Sequence, residues 1–220
     1  MKFLEVLIGG FAALFPVTDP VGAIPLFLVL TSGASQQLRN RLALKIACYM
    51  LFVLVIFLLI GGSVLSFFGL SIAVVKIAGG IVVFEAGWRA LKEKPRITPK
   101  DEKVAAFKAE HHEDIAFIPM TVPLLAGPGS IAVTLGLAAQ AGRDLSWPTG
   151  LNYLAAIGAI ALICAITYGC LRLSSRFLMI FGERGITALS RFLGLFILAV
   201  GVQLMLNGLA DWMIRLGIIK

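Results

Sequence analysis

Apolar residues along this chain gather into six long runs, roughly 3–31, 42–65, 70–91, 115–139, 151–173 and 186–209. Short stretches of charged or turn-forming residues separate them. A helix needs about 20 apolar residues to cross a bilayer, and each run supplies that length. The pattern predicts an all-α polytopic membrane protein with six transmembrane helices. Only one connection is long and polar, at 92–114, and it divides a first part, 1–91, from a second, 115–220. Lys2 ahead of an apolar stretch resembles the start of a signal peptide. No small-residue cleavage site follows, however, and the same pattern recurs in mid-chain, so the first run is expected as a mature span.

Composition agrees. Of 220 residues, 59% are hydrophobic and 14% charged, against about 45–50% and about a quarter in soluble domains. Mean hydropathy is +0.96. Such a chain lacks the polar surface of a soluble enzyme, a disordered scaffold or a nucleic-acid binder. The net charge of +7 therefore reads as a topology signal. Thirteen of the 19 basic residues follow the first, third and fifth runs, four lie on the other side, and Lys76 and Arg191 fall within runs. Basic residues concentrate in cytoplasmic loops, which places the thirteen inside and both termini outside. Cys48, Cys164 and Cys170 are odd in number and lie in apolar runs, so no disulfide framework is implied.

The runs are not independent. At a constant offset of 103, Pro16, Thr18, Pro20, Ala23 and Pro25 of the first recur as Pro119, Thr121, Pro123, Ala126 and Pro128 of the fourth. Ala13/Ala116, Thr31/Thr134 and Gly33/Gly136 extend the match. A weaker echo joins Phe68-Gly69 to Phe181-Gly182, and Lys76 and Gly79 to Arg191 and Gly194 at offset 115. A repeat of three spans forces its second copy to insert upside down, which predicts a 3+3 inverted repeat of the kind found in secondary transporters.

Three prolines in ten residues cannot sit in a continuous helix. Spans one and four are therefore expected to break near mid-membrane and to line a polar cavity, because carbonyls freed in hydrocarbon need partners. Half-helices would end near Phe15-Pro16 and Ile118-Pro119 and begin near Val21-Gly22 and Gly127-Pro128. Helix starts favour a carboxylate and helix ends an ammonium or a cation, so a small zwitterion fits both. Gly22, Gly127 and Gly129 would admit a ligand close to the backbone, while the Thr18, Thr121 and Ser130 hydroxyls orient it. Asp19, whose repeat mate is Val122, would pair an ammonium, hold a cation, carry a coupling proton, or cap the half-helix after Pro20.

Other polar residues carry local expectations. Lys76 and Arg191 are expected to snorkel and Glu85 to pair with Arg89 four residues on. Gln203 and Asn207 would line the cavity or bridge helices. His111-His112-Glu113-Asp114 reads as a solvated loop and not a metal site, since adjacent histidines cannot share a helix face. No nucleophile–base arrangement of an intramembrane enzyme is present in the runs.

The stretch from Asp19 to Phe27 and the stretch from Pro123 to Ile131 resemble the paired signatures of the MarC family, also called the six-helix small neutral amino acid transporter family. The resemblance covers the whole chain. It implies transport of glycine- or alanine-class amino acids across a prokaryotic inner membrane, with the site between the broken helices. Many members carry Asn at the positions of Asp19 and Ala23. The expected site is thus Thr18, Asp19, Pro20, Gly22, Thr121, Pro123, Gly127, Gly129 and Ser130, with no cofactor or metal and with a proton or sodium as possible coupling ion. A channel using the broken helices as a filter is the alternative.

Overall fold

The computed structural model describes residues 3–92, 115–141 and 147–218. Every regular element among them is helical: α1 (Phe3–Thr18), α2 (Ala23–Leu30), α3 (Gln36–Phe67), α4 (Ile72–Lys92), α5 (Ala116–Leu125), α6 (Pro128–Ala141), α7 (Trp147–Arg172) and α8 (Ser174–Arg215). Beyond Lys92 the central linker, with His111 to Asp114, lies outside the described residues, as does Arg143.

Three helices are long and apolar enough to cross a membrane: α3, Thr149–Arg172 of α7 and Ala188–Arg215 of α8. Two bent pairs, α1 with α2 at 54° and α5 with α6 at 62°, raise the number to five if each is one span. The expected third span, α4, stands outside that count because its 21 residues carry Lys76, Glu85, Arg89 and Lys92.

Both expected breaks are present, with one shifted boundary. α1 runs through Pro16 and ends at Thr18, not at Phe15-Pro16. Proline withdraws only its own N–H, and the Asp19 N–H still closes on the Phe15 carbonyl at 3.3 Å. The turn comes at Asp19 itself, whose φ of +40° lies in the left-handed region. α2 carries Pro25 in its first turn, where no intrahelical N–H is missed. In the second break Ile118 (φ −122°, ψ 122°) and Val122 (φ −118°, ψ 123°) are extended. Each precedes a proline, whose ring disfavours the helical region for its neighbour. Both of those X–Pro peptide bonds are cis. α6 then opens on Pro128, at the helical position proline suits best.

The Phe-Gly echo has a backbone counterpart. Gly69 closes α3 with φ +68°, and Gly182 kinks α8 with φ +64°. At Gly69 the Leu70 N–H reaches back to the Leu65 carbonyl at 2.8 Å, the bond that ends a helix on a left-handed glycine.

α4 and α8 form a backbone-to-backbone seam. A Cβ added at Gly80 would meet the Gly201 carbonyl at 2.7 Å, one at Gly194 the Gly87 carbonyl at 3.3 Å, and one at Gly208 the Ala73 carbonyl at 2.7 Å. Numbers rise on one helix as they fall on the other, so the two run antiparallel. Small residues seven apart admit this approach, the usual route to tight helix pairs in membranes. At offset 114, Gly80 becomes Gly194 and Gly87 becomes Gly201, and the seam maps onto itself. The offset of 115 suggested by Lys76 and Arg191 is therefore one residue out for these glycines.

Exchanging the halves also relates other packed pairs. α1 on α7, α4 on α6, α3 on α6 and α1 on α6 become α5 on α3, α8 on α2, α7 on α2 and α5 on α2, all of which pack. The contacts of α1 with α8, α6 with α7 and α7 with α8 have no such partner of similar extent. Leu14, Phe27, Ile46, Met50, Met120, Leu125 and Ile160 fill the core. Large apolar side chains such as Phe52, Phe192 and Leu206 face outward, as suits a surface bathed in lipid.

Candidate functional site

The two breaks meet inside the bundle. A Cβ on Gly129 of α6 would lie 3.1 Å from Val17 Cγ1 of α1 and 2.9 Å from Val83 Cγ2 of α4. α2 also packs on α5. Thr18, Pro20, Thr121, Gly127 and Ser130 are buried, Asp19, Gly22 and Gly129 half-buried, and Pro123 exposed. Three clefts of 490, 540 and 590 Å³ indent the bundle, and none of these three is lined by either break.

The hydroxyls serve the backbone. Thr18 Oγ1 donates to the Phe15 carbonyl at 3.2 Å, Thr121 Oγ1 to the Ala116 carbonyl at 2.6 Å, and Ser130 Oγ to the Leu125 carbonyl at 2.8 Å. These bonds re-satisfy carbonyls at the interruptions, which hydrocarbon could not. The repeat extends to this chemistry. Thr31 and Thr134 are both fully buried, and each donates to the carbonyl four residues earlier, Phe27 at 2.7 Å and Ser130 at 2.8 Å.

The two helix starts differ. At α2, Asp19 Oδ1 accepts from the Gly22 N–H at 2.9 Å and the Asp19 carbonyl from the Ala23 N–H at 3.2 Å. Asp19 thus closes the turn that leads into α2, whose N-cap residue, Gly22, supplies no side-chain cap. At α6 the first rung runs from the Ile131 N–H to the Gly127 carbonyl at 3.0 Å, so the Gly129 and Ser130 amides precede the ladder. Val122 stands where Asp19 stands in the first copy and brings no carboxylate to them.

Both glycines of the breaks are required by space. A Cβ at Gly22 would enter the Asp19 carboxylate, and one at Gly127 the Pro123 carbonyl. Gly22→Ala and Gly127→Ala are each expected to cost about 1–2 kcal/mol. Thermal melting in detergent checks this beside Gly169→Ala, which meets nothing within 4 Å. Equal melting of all three would contradict it.

Elsewhere several expectations change. Lys76 does not snorkel: it is 9% exposed, and its Nζ lies 2.7 Å from Asp211 Oδ2 of α8. α4 packs so closely on α8 that the amine reaches the Asp211 carboxylate directly. Asp211 was signalled by the sequence only as an acid at the end of an apolar run, in need of a cation. Arg191 is exposed, and Glu85 pairs with Arg89 as the spacing predicts. Gln203 donates to Asn207 at 2.8 Å on the exposed face of α8, so the pair neither bridges helices nor lines one of the three clefts. Among the described residues, no group of three or more His, Cys, Asp or Glu is placed to hold a metal ion.

A family model described as MarC family integral membrane protein matches residues 4–213. Among similar chains, the inner membrane protein MarC of Salmonella typhimurium is 31% identical over 208 residues, 92% of this chain and 93% of the relative. That of Escherichia coli O1:K1 is 32% identical over 207 residues, with 92% and 93% covered. No solved structure matches this chain.

Proposed function

The chain belongs to the MarC family of integral membrane proteins, and from that premise we propose that it is a secondary transporter of small neutral amino acids, of the glycine and alanine class, across the inner membrane. In this reading α4 is the third span, which brings the number to six, and the molecule is a 3+3 inverted repeat, with residues 1–91 and 115–220 as its halves. The thirteen basic residues lie on the cytoplasmic side and both termini outside. Self-mapping of the α4–α8 seam at offset 114, and the matched bonds of Thr31 and Thr134, support the repeat.

One observation carries the substrate class: two helix starts of opposite need, at breaks that approach where Gly129 of α6 lies against Val17 of α1. The Gly129 and Ser130 amides, with the positive end of the α6 dipole, suit a carboxylate. Asp19 offers its second oxygen to an ammonium while its first holds the Gly22 N–H. A zwitterion whose charges are one carbon apart fits glycines that pack this closely. In a carrier of this kind, alternating access would expose the breaks to each side of the membrane in turn.

The test is uptake of labelled glycine and alanine into proteoliposomes under imposed proton and sodium gradients, with Asp19→Asn alongside. Saturable flux accelerated by internal unlabelled substrate is expected, and the variant should lower it at least tenfold, about 1.4 kcal/mol. No flux of either amino acid under any gradient removes the substrate assignment. The channel reading rests on the broken helices alone, and linear conductance in a bilayer would favour it.

A further inference from the structure

A cleft of 590 Å³ opens between the start of α3 and the corner joining α7 to α8. Gln36 and Asn40 line it from α3, Tyr168 and Arg172 from α7, and Ser175 and Arg176 from α8. No carboxylate is among its lining residues. Arg172 is held in place, its Nη1 donating to Tyr168 Oη at 3.1 Å with the guanidinium 5.7 Å from the ring. Beside the cleft Arg39 donates to Ser175 Oγ at 3.2 Å and to the Thr31 carbonyl at 3.3 Å, tying the end of α2 to the start of α8. Among the described residues, three guanidinium groups thus gather around a space whose lining holds no carboxylate. A phosphate, with several strong acceptor oxygens, suits such a set.

A second observation selects the source of that phosphate. Met179 and Ile180 stand three and four residues beyond Arg176, on the same helix face. They are 80% and 76% exposed, so an apolar surface continues from the basic cleft. A free anion has no use for it, whereas an amphiphile covers both. We propose that this cleft binds the headgroup of an anionic phospholipid, with its acyl chains along Met179 and Ile180. The lipid sits next to the Arg39 strap and so bears on α2, beyond the first break.

Native mass spectrometry of the full chain in neutral detergent tests this with phosphatidylglycerol, phosphatidylcholine and inorganic phosphate as separate probes. Phosphatidylglycerol should stay bound to the wild type. The R172Q/R176Q variant should bind it about thirty-fold more weakly, the loss of two arginine contacts. R172K/R176K should keep most of the affinity, because charge at the headgroup is retained. Arg215→Gln, at the far end of α8, should bind as the wild type does. Melting without lipid identifies a misfolded variant, and the lysine pair and single Arg176→Gln then carry the comparison. Undiminished binding by R172Q/R176Q overturns the proposal, as does equal retention of phosphatidylcholine. Displacement of the lipid by equimolar inorganic phosphate would make the cleft a free-anion site instead.

Discussion

Replacing Gly201 with valine is expected to lower the stability of the folded protein by about 3 kcal/mol or more, the upper end of overpacking costs. A Cβ there would lie 2.5 Å from the Phe84 nitrogen and 2.8 Å from both the Gly80 carbonyl and Phe84 Cα. These are backbone atoms, which cannot change rotamer to make room, so α4 and α8 must separate along their length. Separation in lipid strands Lys76 on α4 away from Asp211 on α8, which adds to the loss. Unfolding titrations in mixed detergent measure the effect. Gly9→Val is the comparison, since a Cβ at Gly9 meets nothing within 4 Å; it should change stability by about 1 kcal/mol or less, and toward the more stable side, because valine has a higher helix propensity than glycine. Equal stability of the two variants would mean that the seam is not closely packed.

Asp211→Asn is expected to cost about 2–3 kcal/mol, and Lys76→Met plus Asp211→Asn together less than Asp211→Asn alone. Removing the carboxylate leaves a charged amine whose side chain is 11% exposed without its partner, and breaking a fully buried pair costs about 3–5 kcal/mol. The Asp211 side chain is 42% exposed, so water reaches one partner and the cost falls below that range. Taking the amine away as well removes the stranded charge. The four proteins form a double-mutant cycle, and a coupling above about 1 kcal/mol marks the pair as one unit. Effects that add to within about 0.5 kcal/mol would show that Lys76 draws its stability from another source.

These two contacts also mark where the amino-acid sequence stops being informative. Broken spans were legible because proline acts on its own helix, so spacing of Pro16, Pro20 and Pro25 and their mates sufficed. Lys76 was not, because its partner is 135 residues away and nothing local distinguishes a snorkelling lysine from a paired one. Depth in a span predicts only that the charge needs an answer. The same holds at the breaks. Thr18, Thr121 and Ser130 were legible as polar groups in an apolar setting, but each resolves the matter by bonding a carbonyl of its own segment. Asp19 was read as a cap of the half-helix or as a ligand, and what it does in the fold is hold the Gly22 N–H in the turn before α2. The α1 boundary slipped by three residues because a proline near a helix end withdraws one bond and leaves the next intact.

The α4–α8 seam carries an economy of instruction. Gly80 and Gly87 on one helix, Gly194 and Gly201 on the other, are the same two-letter message written twice, seven residues apart each time. Because the partners run antiparallel and the contact maps onto itself, a single helix bearing that message recognises an inverted copy of itself without further information. In the proposed 3+3 reading, tying two halves into one polypeptide keeps this seam while each copy diverges elsewhere, as at Asp19 and Val122.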